Sequence, residues 1–215
     1  TGNYVVGTVD LPNVASLDGT LTGEIHFTGS ERVPEDAEIL AAFLYFETIV
    51  SDPAQLKDVK FRGKSIHLDD MSVVKKSFSS LTGPTASCFS SGGGSGATYT
   101  MYMVRADVRR LLPLHTDARG RSTRKRLVND SDLENLVETV DNPDGTLTST
   151  VAPLPYHTVT LPEAGTGNQV PQSAGASLVI IYRDPTEPLR RILLYENPQN
   201  PPRNDNSVAV LPDIA

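Results

Sequence analysis

Three oxygen-rich runs are the strongest metal-binding candidates in the chain: Asp69-Asp70, Asn129-Asp130-Ser131-Asp132 and Asp141-Asn142-Pro143-Asp144-Gly145. Calcium takes about six to eight oxygens from carboxylates, amides and carbonyls, and loops supply them well. Asp130, Asp132, Asp141 and Asp144 are the expected ligands, and Ca²⁺ is the one cofactor the sequence suggests. No run has EF-hand spacing, and Asp, Asn and Gly are also ordinary turn formers, so a plain turn competes with the metal site. A second constellation is basic. Arg119, Arg121, Arg124, Lys125 and Arg126 cluster in an acidic chain and suit an anionic partner, a protease-sensitive loop or a solvated loop.

Signals for catalysis are weak. His26, His67, His115 and His157 show no close zinc-type spacing and are expected on the surface or on strand faces. There is no Gly-x-Ser-x-Gly elbow. Gly92-Gly-Gly-Ser-Gly96 lacks the Gly-Lys-Ser/Thr ending of a phosphate loop and reads as a linker-like loop. Glu24, Glu38, Glu47 and Asp107 lie on or beside expected strands, but a glycosidase needs two acids facing one another, which spacing alone does not supply. A non-catalytic protein is expected. Tyr4, Tyr99, Tyr102 and Tyr156 could stack on a glycan, although the chain has no Trp. Asn129-Asp130-Ser131 is a glycosylation sequon.

The elements that would position these residues are mostly strands. Ala176 to Tyr182 is nearly continuous in apolar residues, as in the middle of a packed sheet. Ile192 to Tyr195 is expected to return beside it as a hairpin around Asp184-Pro185. Tyr4 to Leu11 reads as a strand stopped by Pro12. Thr20 to Thr28 alternates, with Leu21, Gly23, Ile25 and Phe27 on one face and Thr22, Glu24, His26 and Thr28 on the other. Glu38 to Val50 mixes helix formers with Phe43, Tyr45, Ile49 and Val50. A long buried strand is the expectation, with a helix as the alternative.

Lys57 to His67 suggests a strand pair around Arg62-Gly63-Lys64. Val73 to Leu81, Thr98 to Arg105, Thr146 to Val151, His157 to Leu161 and Val208 to Leu211 suggest further strands. Ala106 to Leu112 is expected to form a helical turn or two. Ser131-x-x-Glu134 fits a capping box, and Leu133, Leu136, Val137 and Val140 follow at helical spacing, so Ser131 to Val140 is the expected helix. His115 to Arg126 and Pro162 to Ala174 read as loops, and Cys88 to Gly96 as a mobile Ser/Gly loop. Many short strands between Gly/Pro turns define an all-β fold, a β-sandwich or jelly-roll-like module with one or two short helices. Residues 1–215 are expected to form a single domain.

The bulk numbers narrow the class of function. A net charge of −7 disfavours a general nucleic-acid binder, which needs a basic face. No apolar run is long enough for a membrane helix, so no insertion is expected. The lone Cys88 allows no intrachain disulfide and is expected to be an inert, half-buried thiol. The start at Thr1, without a secretion signal, suggests a processed chain or a piece of a longer one.

Several blocks carry a resemblance. Val33-Pro-Glu-Asp-Ala-Glu-Ile-Leu-Ala-Ala-Phe-Leu-Tyr-Phe46, Lys57-Asp-Val-Lys-Phe-Arg-Gly63, Tyr102-Met-Val-Arg-Ala-Asp-Val108 and Gly175-Ala-Ser-Leu-Val-Ile-Ile-Tyr182 with Ile192-Leu-Leu-Tyr195 resemble strands of secreted bacterial and archaeal β-sandwich domains of unknown function. The resemblance implies modules of large extracellular or envelope proteins and carries no catalytic residues. The expected protein is therefore a secreted or surface structural or interaction module, binding other subunits or itself. A carbohydrate-binding module and an extracellular hydrolase are the alternatives. Edge strands offering Tyr4, Val5, Val6, Val208 and Val210 would make the contact, by strand addition or by burial of a module face.

Overall fold

The computed structural model describes residues 2–12, 18–67, 71–79, 98–117, 119, 121–134, 136–141, 147–151, 156–165, 169–188, 192 and 194. Within them the chain is all-β. The strands are β1 (Asn3–Asp10), β2 (Thr20–Ile25), β3 (Glu38–Val50), β4 (Lys60–Phe61), β5 (Lys64–Ser65), β6 (Met71–Ser79) and β7 (Thr98–Asp107). They continue as β8 (Leu114–Thr116), β9 (Ser122–Arg126), β10 (Val137–Asp141), β11 (Leu147–Val151), β12 (His157–Pro162) and β13 (Gln172–Arg183). One antiparallel sheet has the order β1-β13-β3-β7-β6 and a second the order β2-β12-β4-β5. The pairs β8-β9 and β10-β11 stand as separate hairpins.

The two larger sheets share one apolar core. Val5 of β1, Ala42, Leu44, Phe46 and Val50 of β3, Val104 and Ala106 of β7, and Leu178 and Ile180 of β13 are buried against Ile25, Phe27, Phe61, Val159 and Leu161 of the opposing layer. Alternation on β3 and β13 sends every second side chain into this core, which fixes the register against a one-residue slip. Close approach between the layers needs small residues. A Cβ on Gly7 of β1 would sit 2.6 Å from the Ile25 side chain of β2.

The alternation expected over residues 20–28 holds, with Ile25 and Phe27 buried and Thr22, Glu24, His26 and Thr28 exposed. Glu38–Val50 is a strand throughout, as expected. Arg62 and Gly63 join β4 to β5 with φ of 51° and 72°, the two positive values a tight hairpin turn requires.

Four expectations give way to pairing. Ile192 and Leu194 lie in no strand. The expected hairpin has no room, because β1 and β3 already occupy both edges of β13. The expected helix over 131–140 shrinks to a single turn, α1 (Asp130–Leu133), and the chain enters β10 at Val137. Val137, Thr139 and Val140 are β-branched, and pairing with β11 uses them better than a helix does. Residues 106 and 107 complete β7, leaving only a 3₁₀ turn at Arg109–Leu111. The basic stretch expected to be a loop is largely the β8-β9 hairpin, turned around the Asp117 carboxylate, which accepts from the N–H groups of Arg119 and Arg121. Residues 80–97, which include Cys88, and the expected strand at 208–211 lie outside the described residues.

Gly175 is the glycine of the five-stranded sheet with the least room for a side chain: a Cβ there would fall 2.3 Å from the carbonyl oxygen of Val9. Gly175→Ala is therefore expected to lower the unfolding free energy by roughly 1–3 kcal/mol, as for other overpacked sites, read from urea denaturation against the unchanged protein. Full stability in the variant would show that β1 and β13 are not this close.

Candidate functional site

The outer face of the five-stranded sheet differs from a solvated face. Cross-strand rows run Val6–Val179–Phe43–Asp107, Tyr4–Ile181–Ala41 and Thr8–Ser177–Tyr45–Arg105. Phe43, Tyr45 and Ile49 of β3, Ile181 of β13, Val6 of β1, and Met101 and Met103 of β7 are all partly exposed there. The Arg105 guanidinium lies 5.2 Å from the Phe43 ring centroid, a cation–π contact that covers part of the patch. A shallow cleft of about 420 Å³ opens beside it, with Thr8, Tyr45, Glu47, Met103 and Ser177 on its walls. Burial in this setting pushes the Glu47 carboxyl above its ordinary pKa. Two large apolar side chains reach furthest into solvent, Tyr4 at 52% and Leu40 at 45% exposure. Leu40 is the extra residue of a bulge between Ile39 and Ala41, and the bulge turns it outward.

Strand β1 forms one edge of this face. Leu11 N–H donates to the Ala174 carbonyl at 2.8 Å. Alternation then points the main chain of the odd-numbered residues toward β13, and that of Tyr4, Val6, Thr8 and Asp10 toward the open side. The Tyr4 N–H is met there by its neighbour's Asn3 Oδ1 at 3.0 Å. Among the described residues no strand pairs with that side. The strand is eight residues long and has no Pro, Lys or bulge, the usual protections of an edge.

Sequence-predicted interaction residues separate on this geometry. Tyr4 and Val6 point outward, whereas Val5 points into the core and is no contact residue. Val208 and Val210 lie outside the described residues.

Two of the expected calcium ligands, Asp130 and Asp132, do other work. Asp130 is buried; its Oδ1 accepts the Phe27 N–H at 2.9 Å and its Oδ2 meets His26 Nδ1 at 2.8 Å. Asp132 Oδ2 accepts from Asn129 Nδ2 at 3.2 Å. Asp141 ends β10, and Asp144 lies outside the described residues. No three His, Cys, Asp or Glu side chains gather as a metal site among the described residues. Asn129 is buried and bonds both main-chain groups of Val33, its Oδ1 accepting the N–H at 2.8 Å and its Nδ2 donating to the carbonyl at 2.9 Å. The sequon is therefore closed in the folded protein. Ser131, the expected cap, instead accepts from Arg32 at 3.0 Å. Together these contacts latch α1 to the segment after β2.

The other candidates disperse. Tyr102 is buried, Tyr156 packs on His26 at 4.1 Å between centroids, and Tyr4 stands on the opposite layer, so these form no shared platform. Tyr99 is on β7, with its side chain outside the described residues. Glu47 and Asp107 share the outer face but sit four register positions apart, roughly 13 Å along the strands. That is wider than the separation of paired glycosidase acids. Glu38 pairs with Arg183 across β3 and β13.

His157, expected on the surface or on a strand face, lies on β12 and faces the core. It is fully buried, stacks on Phe61 at 5.6 Å and meets Phe27 edge-on. Its Nε2 donates to the Val128 carbonyl at 2.8 Å, which leaves Nδ1 as an unbonded buried acceptor. Burial, then the nearby Arg62 charge, lowers its pKa to about 3. Glu163, which the sequence reading passed over, is also fully buried, and its carboxylate accepts the N–H groups of Gly165 and Ser173. Its position, directly after β12 in a polar loop, carried no apolar pattern to mark it.

No family model, curated protein or solved structure matches the chain.

Two stability predictions follow from these buried groups. Asn129→Ala removes both bonds to Val33 and leaves main-chain groups buried, so a loss of roughly 2–3 kcal/mol is expected in urea denaturation. For His157, the unfolded chain binds the proton below about pH 6.5 while the folded chain resists it down to about 3. Stability is thus complete above the unfolded value and falls by roughly 1.4 kcal/mol per pH unit as pH drops through that window. His157→Phe should start less stable at neutral pH and show a slope shallower by one proton; an unchanged slope would mean that His157 is not held neutral.

Proposed function

We propose that this chain is a non-catalytic interaction module of a secreted or surface protein, and that it joins a second copy of itself through β1. The carrying observation is the regular β1 edge, free of Pro, Lys and bulges and covered by no other strand among the described residues, continuous with the apolar outer face beside it. Antiparallel pairing about a two-fold axis is self-complementary by construction. A two-fold through Val6 would place Val6 opposite Val6 and Tyr4 opposite Thr8 of the second copy. It would extend the Phe43–Val179–Val6 row into its symmetry mate and set no like charges opposite one another within the strand. Main-chain bonds would supply affinity, and the outward side chains Tyr4, Val6 and Thr8 the specificity.

Light scattering during size-exclusion chromatography tests this directly. A species of twice the chain mass is expected, dissociating on dilution. Thr8→Pro removes an N–H that faces the open side, a position where an edge strand tolerates proline. It should yield a monomer with nearly unchanged thermal stability. A wild-type monomer at all concentrations, or a dimer indifferent to Thr8→Pro, would overturn the proposal. A glycan screen on that monomer would then address the carbohydrate-binding alternative.

A further inference from the structure

At the Glu38 end of β3, away from the β1 edge, a cleft of about 540 Å³ lies between two walls of opposite charge. One wall is the turn entering β3, with Glu35, Asp36 and Glu38. The other is built by Arg109, Arg124, Lys125 and Arg126, from the 3₁₀ turn and β9. The cleft exists because β3 outruns its partner. Pairing with β7 stops at Phe43–Asp107. Beyond it, β3 is met by the Val108 N–H on the Ala42 carbonyl and by Arg109 Nε on the Ile39 carbonyl, at 2.9 and 3.0 Å.

Two of the guanidiniums are held in place. Besides that Arg109 bond, Arg126 donates from Nη1 to the carbonyls of Leu112 and Arg110, at 2.7 and 3.2 Å. Those carbonyls orient the cations without neutralising them. Among the described residues, none of Arg109, Arg124, Lys125 and Arg126 has a carboxylate within ion-pair distance. Glu38 is committed to Arg183. Burial, and then the charge of Arg109, holds the Arg126 guanidinium below its ordinary pKa. Opposite charges thus face one another across a gap that they do not close.

We infer that this cleft binds an extended polypeptide segment of another protein, with carboxylates toward β9 and a cationic side chain toward the Glu35–Asp36 turn. Arg124 and Arg126 stand two residues apart on β9, roughly 7 Å, the repeat of alternate side chains in an extended peptide. A ligand with carboxylates at alternate positions matches that spacing. A uniform polyanion such as nucleic acid or sulfated glycan matches the basic wall but is repelled by Glu35 and Asp36, and by a chain whose net charge is −7. This site does not rest on the β1 dimer, because β13 separates β1 from β3 in the sheet.

The test is selection from a random dodecapeptide library on the immobilised full chain, followed by fluorescence anisotropy of the selected peptide. The inference expects acids at alternating positions followed by a Lys or Arg. Binding should weaken roughly tenfold or more in Arg124→Glu combined with Lys125→Glu, and with salt raised from about 50 to about 500 mM. Both side chains are solvent-accessible and make no side-chain bond among the described residues, so the variant should fold, as circular dichroism and an unchanged melting temperature would verify. Thr8→Pro should bind the peptide as the unchanged protein does. No enrichment, peptides that bind the double variant equally, or tighter capture of heparin than of any peptide would each overturn the inference.

Discussion

The structure depends on the placement of β13 between β1 and β3. This twelve-residue strand exchanges main-chain bonds on both sides, and its inward residues Ala176, Leu178, Ile180 and Tyr182 are buried in the core. Such a strand tolerates no register slip, because a shift by one residue would exchange its core and outer faces. With β13 filled on both edges, β1 becomes the boundary of the sheet and any later segment is excluded from that slot. The contact at Gly175, where main chain meets main chain, lets the two strands remain paired through the bulge between Ser173 and Ala176.

The second layer is held by polar groups that the apolar pattern does not reveal. Asn129 and Asp130 act as a side-chain latch on Phe27 and Val33, replacing strand bonds where the chain is irregular. Glu163 does the same for the approach to β13. Buried polar groups of this kind stabilise mainly by being fully bonded, since an orphaned one costs more than a formed bond contributes. His157 is an exception, with one nitrogen bonded and one not, and it therefore makes stability sensitive to acid. Asp130 and Asp132, whose types suggested a metal site, are in this way parts of the fold's framework.

The strands were legible where burial alternates or is continuous. Residues 20–25 announced both their conformation and their inward face, because the pattern repeats with the period of the pleat, whereas 38–50 mixed strand and helix formers and only pairing with β13 and β7 makes it a strand. Pairing between distant segments was not legible. Leu133, Leu136, Val137 and Val140 fit helical spacing, and only the partner β11 draws Val137–Asp141 into a strand. The apolar run at Ile192 looked like a strand because nothing local reveals that β13 already has two neighbours. Side-chain roles were least visible: Asp130 reads the same in sequence whether it binds a metal or an amide. The basic cluster was recognisable as a group, but its placement opposite Glu35 and Asp36 depends on the fold.

The central claim is that the β1 edge is open in one chain and closed by a second. Residue-resolved amide exchange at low and high protein concentration tests it most directly. The account predicts slow exchange at Val5, Gly7 and Val9 at every concentration, since these amides face β13. It predicts that Val6 and Thr8 exchange rapidly when dilute and become protected as concentration rises. Protection of Val6 and Thr8 in the dilute monomer, or rapid exchange at every concentration, would contradict it.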